Sequence, residues 1–117
     1  HSNALAPETV MGKYLLIESR DPYQSADTTN FYDLAADLVQ SGNDVTVFLV
    51  QNGVLPARKG AAESPMPRWD RVNVLADEFA LRERAITANK LAEGITPAPI
   101  EQLVDLLVEP GVKAIWH

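Results

Sequence analysis

The sequence contains no cysteine. Disulfides, thiolate nucleophiles, a persulfide carried on this chain and zinc–thiolate centres are all excluded with it. Histidine is almost missing as well. His1 opens the stretch HSNA, which reads as a cloning scar, and His117 is the last residue. A Ser-His-Asp triad or a multi-histidine metal site therefore has almost nothing to be built from. No apolar run approaches the ~20 residues of a membrane-spanning helix, and no stretch has the charged and apolar regions of a signal peptide. Basic residues are in the minority, with 10 Lys and Arg against 16 Asp and Glu, a net charge of −6 and a pI near 4.7. Phosphate binding needs a basic stripe, so nucleic acid is not an expected partner. An anionic membrane surface is not one either. A cytoplasmic location is the expectation. The nucleotide signatures G-x-x-x-x-G-K-[ST] and G-x-G-x-x-G are missing, as are G-x-S-x-G and H-E-x-x-H. No cofactor is implied.

What remains is an ordinary globular composition. The chain has 117 residues, 46% of them apolar, which fits one domain with one real core. Residues 1–12 mix Pro7, Gly12 and small side chains without periodicity and read as scar and flexible lead-in. The single domain is expected over 13–117.

Within it, apolar runs alternate with helical patterns. Tyr14-Leu15-Leu16-Ile17 is a run of the kind buried on both faces of a sheet. Phe31, Leu34, Ala35, Leu38 and Val39 form one helical stripe, with Asp27, Thr28 or Thr29 able to cap its start and Gly42 able to stop it. The run 45–50 (VTVFLV) is a second buried strand, so the segment closes a βαβ unit with parallel strands. Asn52-Gly53 turns the chain, and 54–70, with four prolines and glycines, holds at most a short helix before a loop. In that loop Met66 and Trp69 pack on the body or meet a partner. A third strand is expected over 72–76 and a weak fourth over 91–96, broken by Gly94. Pro99 suits the first position of a last helix carrying Ile100, Leu103, Val104 and Leu107 on one face. Pro110-Gly111 ends it, and 112–116 is the final strand, with Trp116 expected to complete the core. The alternation predicts a three-layer α/β/α sandwich around a mostly parallel sheet of about five strands, flavodoxin-like in plan.

In such sheets ligands bind beyond the carboxyl ends of the strands. Three polar clusters fall there: Glu18-Ser19-Arg20-Asp21 with Tyr23 close behind, Gln51-Asn52-Gly53, and Asp77-Glu78. Ser19, Arg20, Asp21, Tyr23, Asn52, Gly53, Asp77, Glu78 and Arg84 are the ligand-binding candidates. The stretch ADEFALRERAI after the third strand admits two readings. In the structural one Asp77 caps a helix, Glu78 favours its dipole, and Glu78 supports Arg82 one turn on, worth about 0.3–0.5 kcal/mol. Phe79, Leu81, Ala85 and Ile86 then supply packing. In the functional one Asp77 is a general acid or base, and Arg84, about 10 Å further along the axis, brackets a ligand with it. Arg20 is a rival partner if its loop folds back.

At three places the chain resembles the DsrE/DsrF-like superfamily, which includes TusD-like and YchN-like proteins. They are KYLLIESRDPY, SGNDVTVFLVQNGV and VNVLADEFALRERAI, and with the final VKAIW the likeness spans about residues 13–116. The resemblance implies a flavodoxin-like sandwich that assembles into trimers or hexamers, with a strand ending in Ala-Cys and an Arg-Gly-Ile seven residues after the cysteine. Here Asp77 stands at the cysteine position and Arg84-Ala85-Ile86 at Arg-Gly-Ile. Active members carry sulfur as a persulfide on that cysteine, which a carboxylate cannot do. The resemblance therefore implies a non-catalytic binding or assembly protein, an accessory subunit related to intracellular sulfur relay that meets a thiol-bearing partner. The alternative is a cysteine-free enzyme or small-molecule sensor using the pocket around Asp77.

Overall fold

The computed structural model describes residues 12–20, 27–57, 72–92 and 94–117, with the backbone alone for 27–30. Asp21, Tyr23, Met66, Trp69 and residues 1–11 of the expected lead-in over 1–12 lie outside the described residues.

Five strands form one sheet: β1 (Lys13–Glu18), β2 (Asp44–Leu49), β3 (Asn73–Asp77), β4 (Ile95–Ala98) and β5 (Val112–Trp116). Their order is β4-β3-β2-β1-β5, and every neighbouring pair is parallel. The helices are α1 (Asp27–Gln40), α2 (Glu78–Glu83) and α3 (Ile100–Val108), with a 3₁₀ helix, Gln51–Ala57, after β2.

The layers follow from the handedness of parallel crossovers, which is almost always right-handed. Strands β1 to β4 are laid down in one direction across the sheet, so their connections share one face. The chain then returns past β1 to place β5, and the same hand sends α3 to the other face. The core divides accordingly. Leu16, Val47, Val74 and Ala76 pack with Phe31, Ala35, Val54, Ala80 and Leu81 on one side. Leu15, Ile17, Phe48, Val50 and Leu75 pack with Ala98 and Leu103 on the other. The period-2 alternation of strand side chains assigns alternate residues to the two cores.

Helix α1 ends as its sequence demands. Gly42 takes φ 91°, its N–H bonds Val39 O, and the N–H of Asn43 reaches back to Leu38 O. This is a Schellman motif, in which a left-handed residue closes off the last carbonyls. Tyr32 is buried beside Phe31, whereas Leu34, expected on the stripe, lies exposed at its edge.

Other expectations need correction. The fourth strand is Ile95–Ala98, later than the run read from 91–96, because Gly94 at φ 90° turns the chain into it. Pro99 is the N-cap of α3 in extended conformation, one position before the helix. Trp116 is 61% exposed and does not complete the core. It lies on β5, at the sheet edge beyond β1, on the face where α3, nine residues long, is the one helix among the described residues. Five strands spaced about 4.8 Å apart are wider than one helix of about 10 Å.

Candidate functional site

The carboxyl ends of the strands meet at one rim. β1 delivers Glu18 and Ser19, β2 delivers Val50 and Gln51, β3 ends on Asp77 and β5 on Trp116 and His117. The chain leaves β3 for α2 on one face and leaves the adjacent β4 for α3 on the other. The two exits leave clefts between α2 and α3 beyond the end of β3, on the carboxyl rim where open α/β sheets bind ligands. Asp77 stands beside them.

Its side chain has two fates. Oδ2 accepts the N–H of Ala80 at 3.3 Å, making Asp77 the N-cap of α2, as the structural reading of the sequence expects. Oδ1 is buried and has no hydrogen-bond partner among the described residues. The residue is 8% exposed. A buried polar atom left unsatisfied costs about 1–3 kcal/mol, so the position carries more than a cap requires.

Two clefts border Asp77. The larger, about 400 Å³, lies between the strand ends and α3, with Ser19, Val50, Gln51 and Trp116 on its floor and side, Phe79, Ala80 and Glu83 from α2, and Ile100 and Leu103 from α3. Its size falls in the range of small-molecule sites. The second, about 310 Å³, runs between α2 and the start of α3 and is lined by Asp77, Glu78, Phe79, Arg82, Pro99, Ile100 and Glu101. Phe79, expected to pack inward, is instead 59% exposed and borders both. Glu78 and Arg82 both line the second cleft, but no ion pair joins them among the described residues.

The remaining candidates fall elsewhere on the rim. Arg84 Nη2 and Nε donate to Asn52 Oδ1 at 2.9 and 3.3 Å, Nη1 donates to Ala80 O at 3.1 Å, and Glu83 lies 3.6 Å away. The pair Asn52–Arg84 thus ties the 3₁₀ helix to the end of α2. Gly53 is buried against the end of β1, where an added Cβ would meet Glu18 O at 2.2 Å. Arg20 is exposed, and its backbone N–H donates to Glu18 Oε2 at 2.9 Å. Helix α2 ends sooner than the run ADEFALRERAI suggests. Ala85 takes φ 56°, its N–H bonds Arg82 O, and Ile86 N–H bonds Leu81 O. This second Schellman motif has alanine where the left-handed residue is usually glycine.

Two residues at the rim are outside the candidate set, although Glu18 was named in the first polar cluster. Glu18 is fully buried, and its Oε1 and Oε2 lie 2.9 and 3.1 Å from His117 Nδ1. The His117 ring stacks on Phe31 at 5.1 Å, and Ser19 Oγ donates to His117 O at 2.8 Å. The signal for Glu18 was its place at the end of an otherwise apolar strand; for His117 there was none, because the two are 99 positions apart. No group of three His, Asp or Glu side chains among the described residues is placed to hold a metal ion.

No family model and no curated protein matches the sequence. Among solved structures, the ychN protein from E. coli superposes with a TM-score of 0.72 at 21% identity, over 90% of this chain and 100% of that one. MTH1491 from Methanobacterium thermoautotrophicum, a protein of unknown function, gives a TM-score of 0.67 at 19% identity, over 89% and 96% of the two chains. The chain therefore shares the fold of these two proteins, the YchN-like fold that the resemblance implies. The cysteine position at the end of β3 is occupied by Asp77, and with no thiol in the chain a cysteine-dependent persulfide transfer is excluded.

Proposed function

We propose that the chain is a non-catalytic assembly protein of the DsrE-like kind, an accessory subunit related to intracellular sulfur relay that carries no persulfide itself. One observation carries this reading. Helix α3 has a second apolar stripe, Ile100, Val104, Leu107 and Val108, all exposed, while Leu103 and Leu106 face the sheet. At about 100° per residue the two stripes are turned roughly 120° apart. Val108 is 74% exposed, and Trp116 and Phe79 extend the apolar surface toward the rim. A surface of this kind on a small domain marks an interaction site. Its occupant in this proposal is a second copy of the chain, in a trimer or hexamer, because the stripe adjoins the single-helix face that one copy leaves undercovered. A thiol-bearing relay protein would then dock on the assembled ring.

Light scattering coupled to size exclusion tests this. The wild-type chain is expected as a closed oligomer, and Val104→Asp with Val108→Glu is expected to run as a folded monomer. A wild-type monomer at 100 μM would sink the proposal.

A second reading is favoured by a separate observation, the unpartnered Oδ1 of Asp77 beside a cleft of about 400 Å³. In that reading the cleft holds a small molecule, as a sensor site or as the site of a cysteine-free enzyme with Asp77 as acid or base. Asp77→Asn is expected to retain the fold and lose ligand.

A further inference from the structure

We infer that the larger Asp77 cleft takes a small organic cation, an ammonium group joined to an apolar body. The inference rests on the second reading above, that the cleft is a ligand site, and adds the chemical class.

Among the described residues the charges lining the cleft are all of one sign: Asp77 and Glu83 line it, and no described Lys or Arg does. The adjoining second cleft adds Glu78 and Glu101 against Arg82 alone. Arg84, which follows the lining residue Glu83, is occupied by Asn52, Ala80 and Glu83. An anionic ligand would meet Asp77 and Glu83 with no cation among the described lining residues of the cleft itself, which costs affinity.

Hydrogen bonding points the same way. Asp77 Oδ1 lacks a donor, and a carboxylate oxygen can only accept. An ammonium supplies donors and charge together, and charge-assisted bonds are the stronger kind. Ser19 Oγ is already committed to His117 O and does not compete for the acceptor.

The walls set the rest of the ligand. Phe79 and Trp116 border the cleft with large exposed rings, and Ile100, Leu103 and Val50 supply aliphatic surface. Aromatic faces attract cations as well as apolar groups. A carboxylate beside two aromatic rings and an aliphatic wall therefore suits an amine on a hydrocarbon or aryl body.

The test uses three probes of one shape: 2-phenylethylammonium, 2-phenylethanol and 3-phenylpropanoate. Each is titrated into the full chain while backbone amide and indole NMR signals are followed. The expected result is saturable movement of the Asp77, Phe79 and Trp116 signals by the ammonium, at least tenfold tighter than for the alcohol, with none for the carboxylate. Asp77→Asn should weaken the ammonium at least tenfold and leave the alcohol unchanged. Glu83→Gln, on the exposed side, should weaken it two- to fivefold, and decides the matter if Asp77→Asn fails to fold. Equal binding of alcohol and ammonium, or binding of the carboxylate, overturns the cationic class and leaves the cleft as a ligand site. Absence of movement with all three overturns the ligand-site reading too. Ammonium shifts spread over the acidic surface and unaffected by either substitution also overturn the inference.

Discussion

Replacing Ala85 by glycine should stabilise the protein, although it removes a side-chain carbon from a helix end. Ala85 sits at φ 56°, a left-handed conformation that costs an L-residue about 1–2 kcal/mol. Glycine removes that cost. Against this, glycine has more freedom in the unfolded chain, worth about 0.4–1 kcal/mol. The side chain is exposed, so no packing is lost. The balance is a gain of about 0.5–1 kcal/mol, or an increase in Tm of about 2–4 °C for a chain of this length. Gly42 provides the mirror experiment. It closes α1 with the same pair of backbone bonds at φ 91°, and a Cβ there would meet nothing within 4 Å. Gly42→Ala should therefore cost about 0.5–1 kcal/mol through the backbone alone. Urea unfolding of the two variants and the wild type gives both numbers, with m unchanged. If Ala85→Gly is destabilising, or Gly42→Ala neutral, the left-handed assignment that ends both helices is wrong. The prediction also bears on the Arg-Gly-Ile pattern of the resembled family. The glycine there suits the geometry found at Ala85, and this chain keeps the turn without the residue that favours it.

Gly53→Ala should cost about 2–4 kcal/mol or prevent folding, because its Cβ would meet the backbone oxygen of Glu18 at 2.2 Å, and that oxygen already accepts from Val50 N; chemical denaturation measures the loss. Glu18→Ala should cost about 2–4 kcal/mol, since it leaves the Arg20 N–H and His117 Nδ1 without their acceptor and opens a void in a fully buried site. Glu18→Gln keeps the volume and one acceptor, and should recover more than half of that; equal losses for both variants would show that the polar contacts contribute nothing. Asp77→Ala should cost no more than about 0.5–1 kcal/mol by thermal melting, because the lost cap bond to Ala80 is partly offset by removing the unsatisfied Oδ1; a loss near 3 kcal/mol would show that Oδ1 has a partner in solution.

The exchange of a thiol for Asp77 changes what the rim can do. A cysteine there can be alkylated, oxidised or loaded with sulfur. A carboxylate can accept hydrogen bonds, attract a cation or move a proton. Both readings of the site follow from that substitution, and they involve different surfaces. The proposed assembly would use the outer flank of α3, and the proposed ligand site the crevice between α2, α3 and the strand ends.

Much of this was legible in the residues. The runs Tyr14-Leu15-Leu16-Ile17 and VTVFLV announced parallel strands because both of their faces are buried, and the stripe from Phe31 to Val39 announced α1 because it recurs with the helical period. Gly42 and Asp77 announced a helix stop and a cap because each acts on its own backbone neighbourhood. These are local signals. The same signals failed where the outcome depended on what lay across the sheet. Trp116 and Phe79 read as core because large apolar residues usually are, and Ile100, Leu103, Val104 and Leu107 read as one face, of which Leu103 alone is buried, because periodicity cannot say which side of an apolar helix meets the sheet. Ala85 gave no sign that it would end α2, since alanine is a strong helix former and the turn is set by the position of Ile86 against the core.

By itself, then, the sequence determined the class of the fold, the exclusion of thiol chemistry, and the placement of a carboxylate at the end of the third strand. Those conclusions need only residue identity, spacing and chain direction. The strand order, the passage of α3 to the opposite face, the clefts beside Asp77 and the meeting of Glu18 with His117 were decided by the tertiary structure alone. The physical reason is that each depends on segments far apart in the chain, brought together by handed crossovers and by competition for a core that a single short helix cannot fully cover.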